Sequence, residues 1–363
     1  GSSTCACERP FNSFQLPSTM LRLVARRSLR SLSANSTVRW PGHSRTAGTL
    51  ASDGKMYNWR VAAVNNALAK AGKAEGPLTV EDLTSLGHLD QYHYLGVDAC
   101  NHLIETLGLD DKATVLDVGS GIGGPARYLS VLSGADITGV ELQADLTNAA
   151  SELTGRVPGL SEKVRFVQGD FVSVFRSGHE HVPAASFDHM ISLLVFLHIP
   201  DRKALLSACF DAMKPGGTFL IEDFALRGTS FTEAEQSQLT DVVFAHTVTS
   251  SADYIAALEE AGFTDIHVED ITPLWLPWTK ARHDEYRAAR EQTISVHGEK
   301  IFNDRVAFYQ VIDVLFGGGN LGGVQITGRK RSTQEEKLVR GLSSGSTRTS
   351  GAAVLNELGA TVK

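Results

Sequence analysis

The chain predicts an α/β fold: an open, doubly wound, seven-stranded and mostly parallel sheet with an antiparallel last strand, helices on both faces, and a separate N-terminal helical cover. Three observations predict it. An apolar run containing an acid, Val115-Leu-Asp-Val118, enters a glycine-rich turn, Gly119-Ser-Gly-Ile-Gly-Gly124, and then a helix-compatible segment opened by Pro125. Short apolar runs recur at the spacing of alternating strands and helices, two of them again closing on acids, Glu141 and Asp170. A Lys214-Pro-Gly-Gly217 turn then introduces another apolar strand.

Taken in order, the helical cover comes first. Residues 57–71 read as a helix, and Thr79-Val-Glu-Asp82 has the capping pattern that starts another. The first strand, at Val115, runs into the glycine turn, where residues without Cβ let the backbone turn sharply and approach a ligand. Pro125 suits the first helical turn, because its missing N–H costs nothing there. A second strand spans Asp136 to Leu142 with Glu141 at its end, and a third spans Val164 to Asp170. The fourth, Phe187 to Leu197, meets His198-Ile-Pro200, and the fifth is Thr218 to Asp223. Tyr254 to Phe263 is an amphipathic helix closed by Gly262, followed by Asp265 to Glu269 and a closing strand at Gly323 to Gly328. This order is that of a Rossmann-like sheet, whose ligands lie beyond the carboxyl ends of the strands.

The spacing Gly119-x-Gly121-x-x-Gly124 also satisfies the dinucleotide fingerprint of NAD and FAD sites. With Asp117 before it and Gly123 within it, the stretch becomes Asp-x-Gly-x-Gly-x-Gly, which resembles motif I of S-adenosylmethionine (SAM) dependent methyltransferases. An acid is favourable beside the ammonium of SAM and unfavourable beside a pyrophosphate. Glu141 suits the ribose hydroxyls. The resemblance implies SAM as cofactor. It implies Asp117, Gly119, Ser120, Gly121, Gly123, Glu141, Leu142, Gln143, Gly169, Asp170, Phe171 and Leu193 as its binding residues, with Asp170 toward the adenine amine and Phe171 on the ring.

Within that group, Leu89-Asp-Gln-Tyr-His-Tyr-Leu-Gly96 followed by Gly123-Gly-Pro-Ala-Arg-Tyr-Leu129 resembles small-molecule methyltransferases of the sarcosine/dimethylglycine and ubiquinone/tocopherol type. Leu95 stands where a Gly-Gly pair would have its first glycine. The chain looks most like the algal and bacterial methylthiohydroxybutyrate S-methyltransferases of dimethylsulfoniopropionate synthesis, over residues 56–330. The resemblance implies methyl transfer to a thioether such as 4-methylthio-2-hydroxybutyrate. N-methylation of a glycine-betaine precursor or phosphobase, C-methylation of a quinol or tocopherol precursor, and a SAM- or dinucleotide-binding protein without methyl transfer are the other readings.

Methyl transfer is an in-line displacement, so catalysis rests on holding nucleophile, methyl and leaving sulfur collinear in a dry pocket. A thioether carries no proton and needs no base. Its sulfonium product suits aromatic faces, and a substrate carboxylate calls for arginine. His198, Tyr92 and His93 are therefore the candidate positioning residues, and Tyr94, Trp275, Trp278, Arg282 and Tyr286 the candidate substrate contacts. For an amine or phenol, His198 or His93 would be the base.

Composition bounds the rest. Of a net charge of −7 over 363 residues, the first 50 contribute seven arginines, no lysine and one acid, Glu8, or +6, leaving −13 for the remainder. An acidic body argues against a nucleic-acid partner, and the apolar runs fall short of the roughly 18 residues that cross a bilayer. A small-molecule substrate, no membrane and a possible homodimer are expected. Residues 1–50, rich in Arg, Ser and Leu, read as an organellar transit peptide, with mitochondrion favoured and plastid or a basic tail without an address as the alternatives; Met20 would then be the start. The remaining organisation is a helical cover over 51–99, a catalytic domain over 100–330 with a lid or dimer insert at about 272–322, and a disordered tail over 331–363 with a possible short helix from Ala352 to Leu358. The four cysteines lack metal-ligand spacing, and no metal is expected.

Overall fold

The computed structural model describes residues 58–335 and 337. Its strands are β1 (Thr114–Val118), β2 (Asp136–Glu141), β3 (Val164–Gln168), β4 (Phe187–Leu193), β5 (Met213–Leu226), β6 (Phe263–Asp270) and β7 (Leu321–Lys330). They form one seven-stranded sheet in the order β3-β2-β1-β4-β5-β7-β6. The pairs among β3, β2, β1, β4 and β5 are parallel, whereas β7 enters between β5 and β6 antiparallel to both. The strand order reverses between β1 and β4, and that switch opens a crevice at the carboxyl ends of both strands.

The helices are α1 (Asn58–Lys70), α2 (Val80–Thr84), α3 (Val97–Leu107), α4 (Gly124–Ser133), α5 (Ala144–Gly155), α6 (Phe171–Arg176), α7 (Arg202–Ala212), α8 (Glu233–Gln238), α9 (Ser251–Ala261), α10 (Thr272–Ala288), α11 (Arg290–His297) and α12 (Glu299–Gly318). Thr79 caps α2 by accepting from Asp82 N while Asp82 accepts from Thr79 N, the reciprocal pattern expected from the sequence. Pro125 sits in the first turn of α4. Apolar residues of α1 to α5 pack on one face of the sheet, around Val115, Ile137 and Leu220. Those of α6, α7 and α9 pack on the other, around Leu116, Phe219 and Ile326. A third cluster joins Tyr94, Phe224, Trp275 and Phe316 beyond the strand ends.

Four local expectations shift. The fourth strand stops at Leu193 instead of Leu197, because Leu194 takes a left-handed backbone (φ 58°) and residues 196–198 form a 3₁₀ turn. That break turns His198 toward the crevice. The turn Lys214 to Gly217 is absorbed into β5 as a bulge, with the register against β4 jumping from Phe187↔Met213 to His189↔Thr218. β5 and β7 outrun their expected ends because they pair with each other from Thr218↔Arg329 to Leu226↔Leu321. The insert at 272–322 is α10, α11 and α12, with the glycine run closing α12 at Gly319 (φ 84°).

Arg329, near the end of β7, makes a two-point pair with Glu335 (2.7 and 2.6 Å), and Ser332 and Glu335 exchange hydrogen bonds, so the residues just past β7 are tied to the sheet. The rest of the expected tail, the 352–358 helix and the basic leader lie outside the described residues. No described helix is long and apolar enough to cross a membrane.

Candidate functional site

A cavity of about 260 Å³ lies at the carboxyl ends of β1, β2, β3 and β4, roofed by α1, the segment His88 to Tyr94 and α12. The glycine turn makes its floor. Gly119 has φ 82°, and a Cβ there would strike the Val195 side chain, so this position admits only glycine without a shift. Gly124 packs its α-carbon on the backbone carbonyl of Asp90, with no room for a Cβ between α4 and the cover.

Two acids stand beside the turn. Glu141 Oε2 accepts from Gly121 N (3.0 Å) and Oε1 from Gln143 N (2.8 Å), which fixes the carboxylate while each oxygen keeps a lone pair for a ligand. Burial raises its pKa, and those backbone donors oppose the rise. Asp117 is 3% exposed, and its Oδ2 has no protein partner among the described residues. Burial first, and the Glu141 charge second, push its pKa up to about 7. A buried carboxylate left without a donor is costly, so its presence points to a ligand cation or donor that completes it. Ser120 Oγ and His93 Nδ1, on two other lining residues, likewise lack protein partners among the described residues.

At the third strand, Asp170 caps α6: its Oδ1 accepts from Ser173 N (2.9 Å) and Oγ (2.8 Å), leaving Oδ2 for the cavity. Phe171 follows it as a buried wall. At the fourth, His198 Nδ1 lies 2.9 Å from the Phe244 carbonyl. A carbonyl only accepts, so Nδ1 holds the proton and Nε2 presents a lone pair. Burial lowers the pKa of this imidazole and keeps it neutral. Phe244 itself has φ 59° after the π-turn Leu239–Val243, a distortion that aims its carbonyl at the ring.

The two segments that carried the family resemblance meet each other. Arg127 Nη2 donates to Asp90 Oδ1 (2.6 Å), with both side chains 1% exposed, and Arg127 Nη1 donates to the Ile122 carbonyl (2.9 Å). Gln91 donates to the other Asp90 oxygen (2.9 Å). This buried pair clamps the cover onto the glycine turn. Leu95 takes φ 64°, the left-handed conformation its missing glycine would favour, and Gly96 follows at φ 56°. His93 Nε2 lies 2.9 Å from the Gly96 carbonyl to which it donates, and burial lowers its pKa to about 4.

Of the residues singled out from sequence, Tyr92, His93, Tyr94, Asp117, Gly119, Ser120, Gly121, Glu141, Leu142, Gln143, Gly169, Asp170, Phe171, Leu193 and His198 line this one cavity. Gly123 does not; at φ 80° it caps the start of α4 against Phe166 and Arg127. Trp275 is a core anchor with 0% exposure, its ring 4.8 Å from Tyr94 and 6.1 Å from Phe224, not a wall of the cavity. Trp278 packs on Tyr94 (5.0 Å) and His88 (5.2 Å), one layer behind the lining. Arg282 pairs with Glu285 (2.8 Å) and Tyr286 stacks on Phe302 (5.8 Å), both also behind it. Sequence reading missed Arg60, His88, Phe308 and Tyr309, which do line it. They come from α1, the turn after α2, and α12, with no motif around them.

Residues 92–268 match the methyltransferase-domain family. A phosphoethanolamine N-methyltransferase of Arabidopsis thaliana is 31% identical over 215 residues, 58% of this chain and 41% of that protein. A sterol 24-C-methyltransferase of Gibberella zeae is 29% identical over 187 residues, 49% of this chain and 47% of that protein. The chain thus spans less than half the length of these curated relatives. Among solved structures, the Haemonchus contortus phosphoethanolamine N-methyltransferase 2 in complex with phosphomonomethylethanolamine and S-adenosylhomocysteine shares the fold at TM-score 0.60 and 19% identity, over 70% of this chain and 61% of that one. The stretch that matches the methyltransferase-domain family, residues 92–268, is the one that carries the glycine turn and the strand-end acids lining the cavity.

Proposed function

We propose that the protein transfers a methyl group from SAM to a small-molecule thioether, with 4-methylthio-2-hydroxybutyrate as the first acceptor to test. The observation that carries the cofactor reading is the buried Asp117 carboxylate, Oδ2 unpartnered, beside the Glu141 carboxylate at the ends of adjacent strands. Asp117 would accept from the SAM ammonium, Glu141 from the ribose hydroxyls, and Asp170 from the adenine amine, with Phe171 against the ring. Bound there, SAM would supply an electrophilic methyl, taken up by the acceptor's lone pair while the electrons of the broken methyl–sulfur bond would stay on the departing sulfur.

The protein's own work is positioning. The cover narrows the crevice, and the Tyr94, Phe224 and Phe308 side chains are among its aromatic lining. Such faces stabilise a sulfonium or ammonium product by about 0.5–2 kcal/mol each. His93 Nδ1, a buried acceptor without a protein donor among the described residues, suits a substrate hydroxyl.

A second reading, N-methylation of a phosphobase, is supported by His198. Its Nε2 lone pair could take the proton an amine must lose, which a thioether does not require. Relatives named for phosphoethanolamine methylation favour the same reading. Incubation with methyl-labelled SAM and 4-methylthio-2-hydroxybutyrate, dimethylglycine or phosphoethanolamine decides between them. Label transferred to the thioether is the expected outcome; transfer to the amines alone would overturn it in favour of the second reading, and transfer to none would refute methylation of these classes.

A further inference from the structure

The cavity is bordered by both acids and arginines. Asp117 and Glu141 lie at its strand end, while the cover brings Arg60 and a neutral His88 into its lining, with Arg282 and Arg305 near them. Arg305 is the unusual member. It is 8% exposed, it lies over the Trp59 ring at 3.7 Å, and its Nη1 donates to the Tyr92 hydroxyl at 2.5 Å. Among the described residues no carboxylate pairs with it. A ring face and one hydroxyl do not offset the desolvation of a buried guanidinium, which takes an anionic partner or several acceptors to balance.

A second arginine, Arg282, lies close by, paired at 2.8 Å with the exposed Glu285. Arg282 stands beside the Tyr309 hydroxyl, and its own Nε is buried without a partner among the described residues. The Tyr286 hydroxyl is likewise buried and unpartnered, with its ring 5.4 Å from Tyr309. Tyr92 and Tyr309, which the two arginines touch, both line the cavity. A hydroxyl that accepts from a cation becomes a stronger donor toward whatever faces its own proton. Two such hydroxyls with positive charge behind them make a site for anionic oxygens.

We propose that Tyr92 and Tyr309, charged from behind by Arg305 and Arg282, form the subsite that holds an anionic group of the methyl acceptor, a carboxylate or a phosphate monoester. This rests on the reading of the cavity as a SAM-dependent methyl-transfer site, and it names the substrate class that site selects: small acceptors whose nucleophilic sulfur or nitrogen is tethered to an anion. The two ends of the cavity then complement their ligands, acid toward the cofactor's ammonium and base toward the acceptor's anion. Arg305 and Arg282 are positioning residues here, and the tyrosines make the contact.

The test is calorimetric titration of the full chain with 4-methylthio-2-hydroxybutyrate, its neutral methyl ester, phosphoethanolamine and inorganic phosphate, with and without S-adenosylhomocysteine. Wild type is compared with Arg305→Gln, Arg305→Lys and Tyr309→Phe. The expected result is that an anionic acceptor binds at least about tenfold tighter than the ester, that Arg305→Gln loses about tenfold or more, the worth of a charge-assisted hydrogen bond, and that Arg305→Lys recovers part of the loss. S-adenosylhomocysteine affinity should stay unchanged in every variant, which a general folding defect would not allow. Preference for phosphoethanolamine or phosphate assigns a phosphate monoester, and preference for the acid assigns a carboxylate. Equal binding of acid and ester, undiminished anion binding by Arg305→Gln, or no binding of any anion would overturn the subsite. Anion binding that persists while S-adenosylhomocysteine fails to bind would instead sink the cofactor reading and leave the subsite standing.

Discussion

Replacing Asp117 with Asn should stabilise the ligand-free protein at alkaline pH while weakening its hold on the cofactor. The carboxyl has an ordinary pKa of 3.8, raised to about 7 by burial and by Glu141. Each pKa step is worth about 1.4 kcal/mol, so keeping this carboxylate ionised costs the folded state on the order of 4 kcal/mol. The sign follows from proton binding. Between pH 3.8 and about 7 the folded state holds a proton that the unfolded state has lost, so this group's contribution to stability falls as pH rises through that window and is flat above it. From pH 5.5 to 8.5 the wild type should therefore lose about 2 kcal/mol that Asp117→Asn retains. Urea unfolding of both proteins at the two pH values, without ligand, measures that difference directly. S-adenosylhomocysteine should then stabilise the wild type by mass action and the variant far less. A variant no more stable than wild type at pH 8.5 relative to pH 5.5, or one that binds S-adenosylhomocysteine as tightly, would refute the assignment of Asp117 as a destabilised carboxylate held for a ligand.

Other perturbations act on separate parts of the site. Asp90→Asn leaves the buried Arg127 cation without its counter-charge and should destabilise the fold by about 3–5 kcal/mol in thermal or urea unfolding; a change under 1 kcal/mol would show that the clamp is not needed. Gly119→Ala drives a Cβ into Val195 at φ 82°, and should abolish S-adenosylhomocysteine binding while the circular dichroism spectrum stays α/β. His198→Asn removes the Nε2 lone pair at the end of β4. With a thioether acceptor it should reduce kcat about tenfold or less and leave the pH–rate profile flat near neutrality, whereas an amine acceptor should lose its basic limb as well. His93, whose pKa of about 4 lies below the ordinary 6.5, works in the opposite sense to Asp117. It contributes stability above pH 6.5 that is lost as pH falls toward 4, so His93→Gln should flatten the acid side of the stability curve.

Much of the site was legible because it is local. Asp117, the glycine turn, Glu141 and Asp170 each sit at the carboxyl end of a strand whose apolar run announces it, and parallel topology then brings those ends together. The resemblance segment Asp90-Gln-Tyr-His93 was legible as a motif but not as a mechanism; only the fold shows that Asp90 reaches 37 residues along the chain to Arg127. Long-range side-chain pairs of this kind leave no periodicity. The acceptor wall was harder still. Trp275 and Trp278 looked like pocket residues because aromatic side chains serve cores and binding sites alike, yet one is buried against Tyr94 and Phe224 and the other lies behind His88. Tyr309 and Phe308, which do face the cavity, arrive from a helix whose sequence carries no motif and little one-sidedness. The end of β4 was misplaced for a related reason. Leu194 and Val195 carry good strand propensity, and the left-handed Leu194 that turns His198 into the site comes from tertiary packing, not from local preference.

The crevice at the ends of β1 and β2 is proposed as a SAM site and not a dinucleotide site. Calorimetric titration of the full chain with S-adenosylhomocysteine and with NAD, on wild type and on Glu141→Ala, tests it most directly. Saturable S-adenosylhomocysteine binding that NAD does not displace is expected, weakened at least about tenfold by Glu141→Ala through the loss of a charged acceptor for two hydroxyls. Saturable NAD binding with no response to S-adenosylhomocysteine would contradict it.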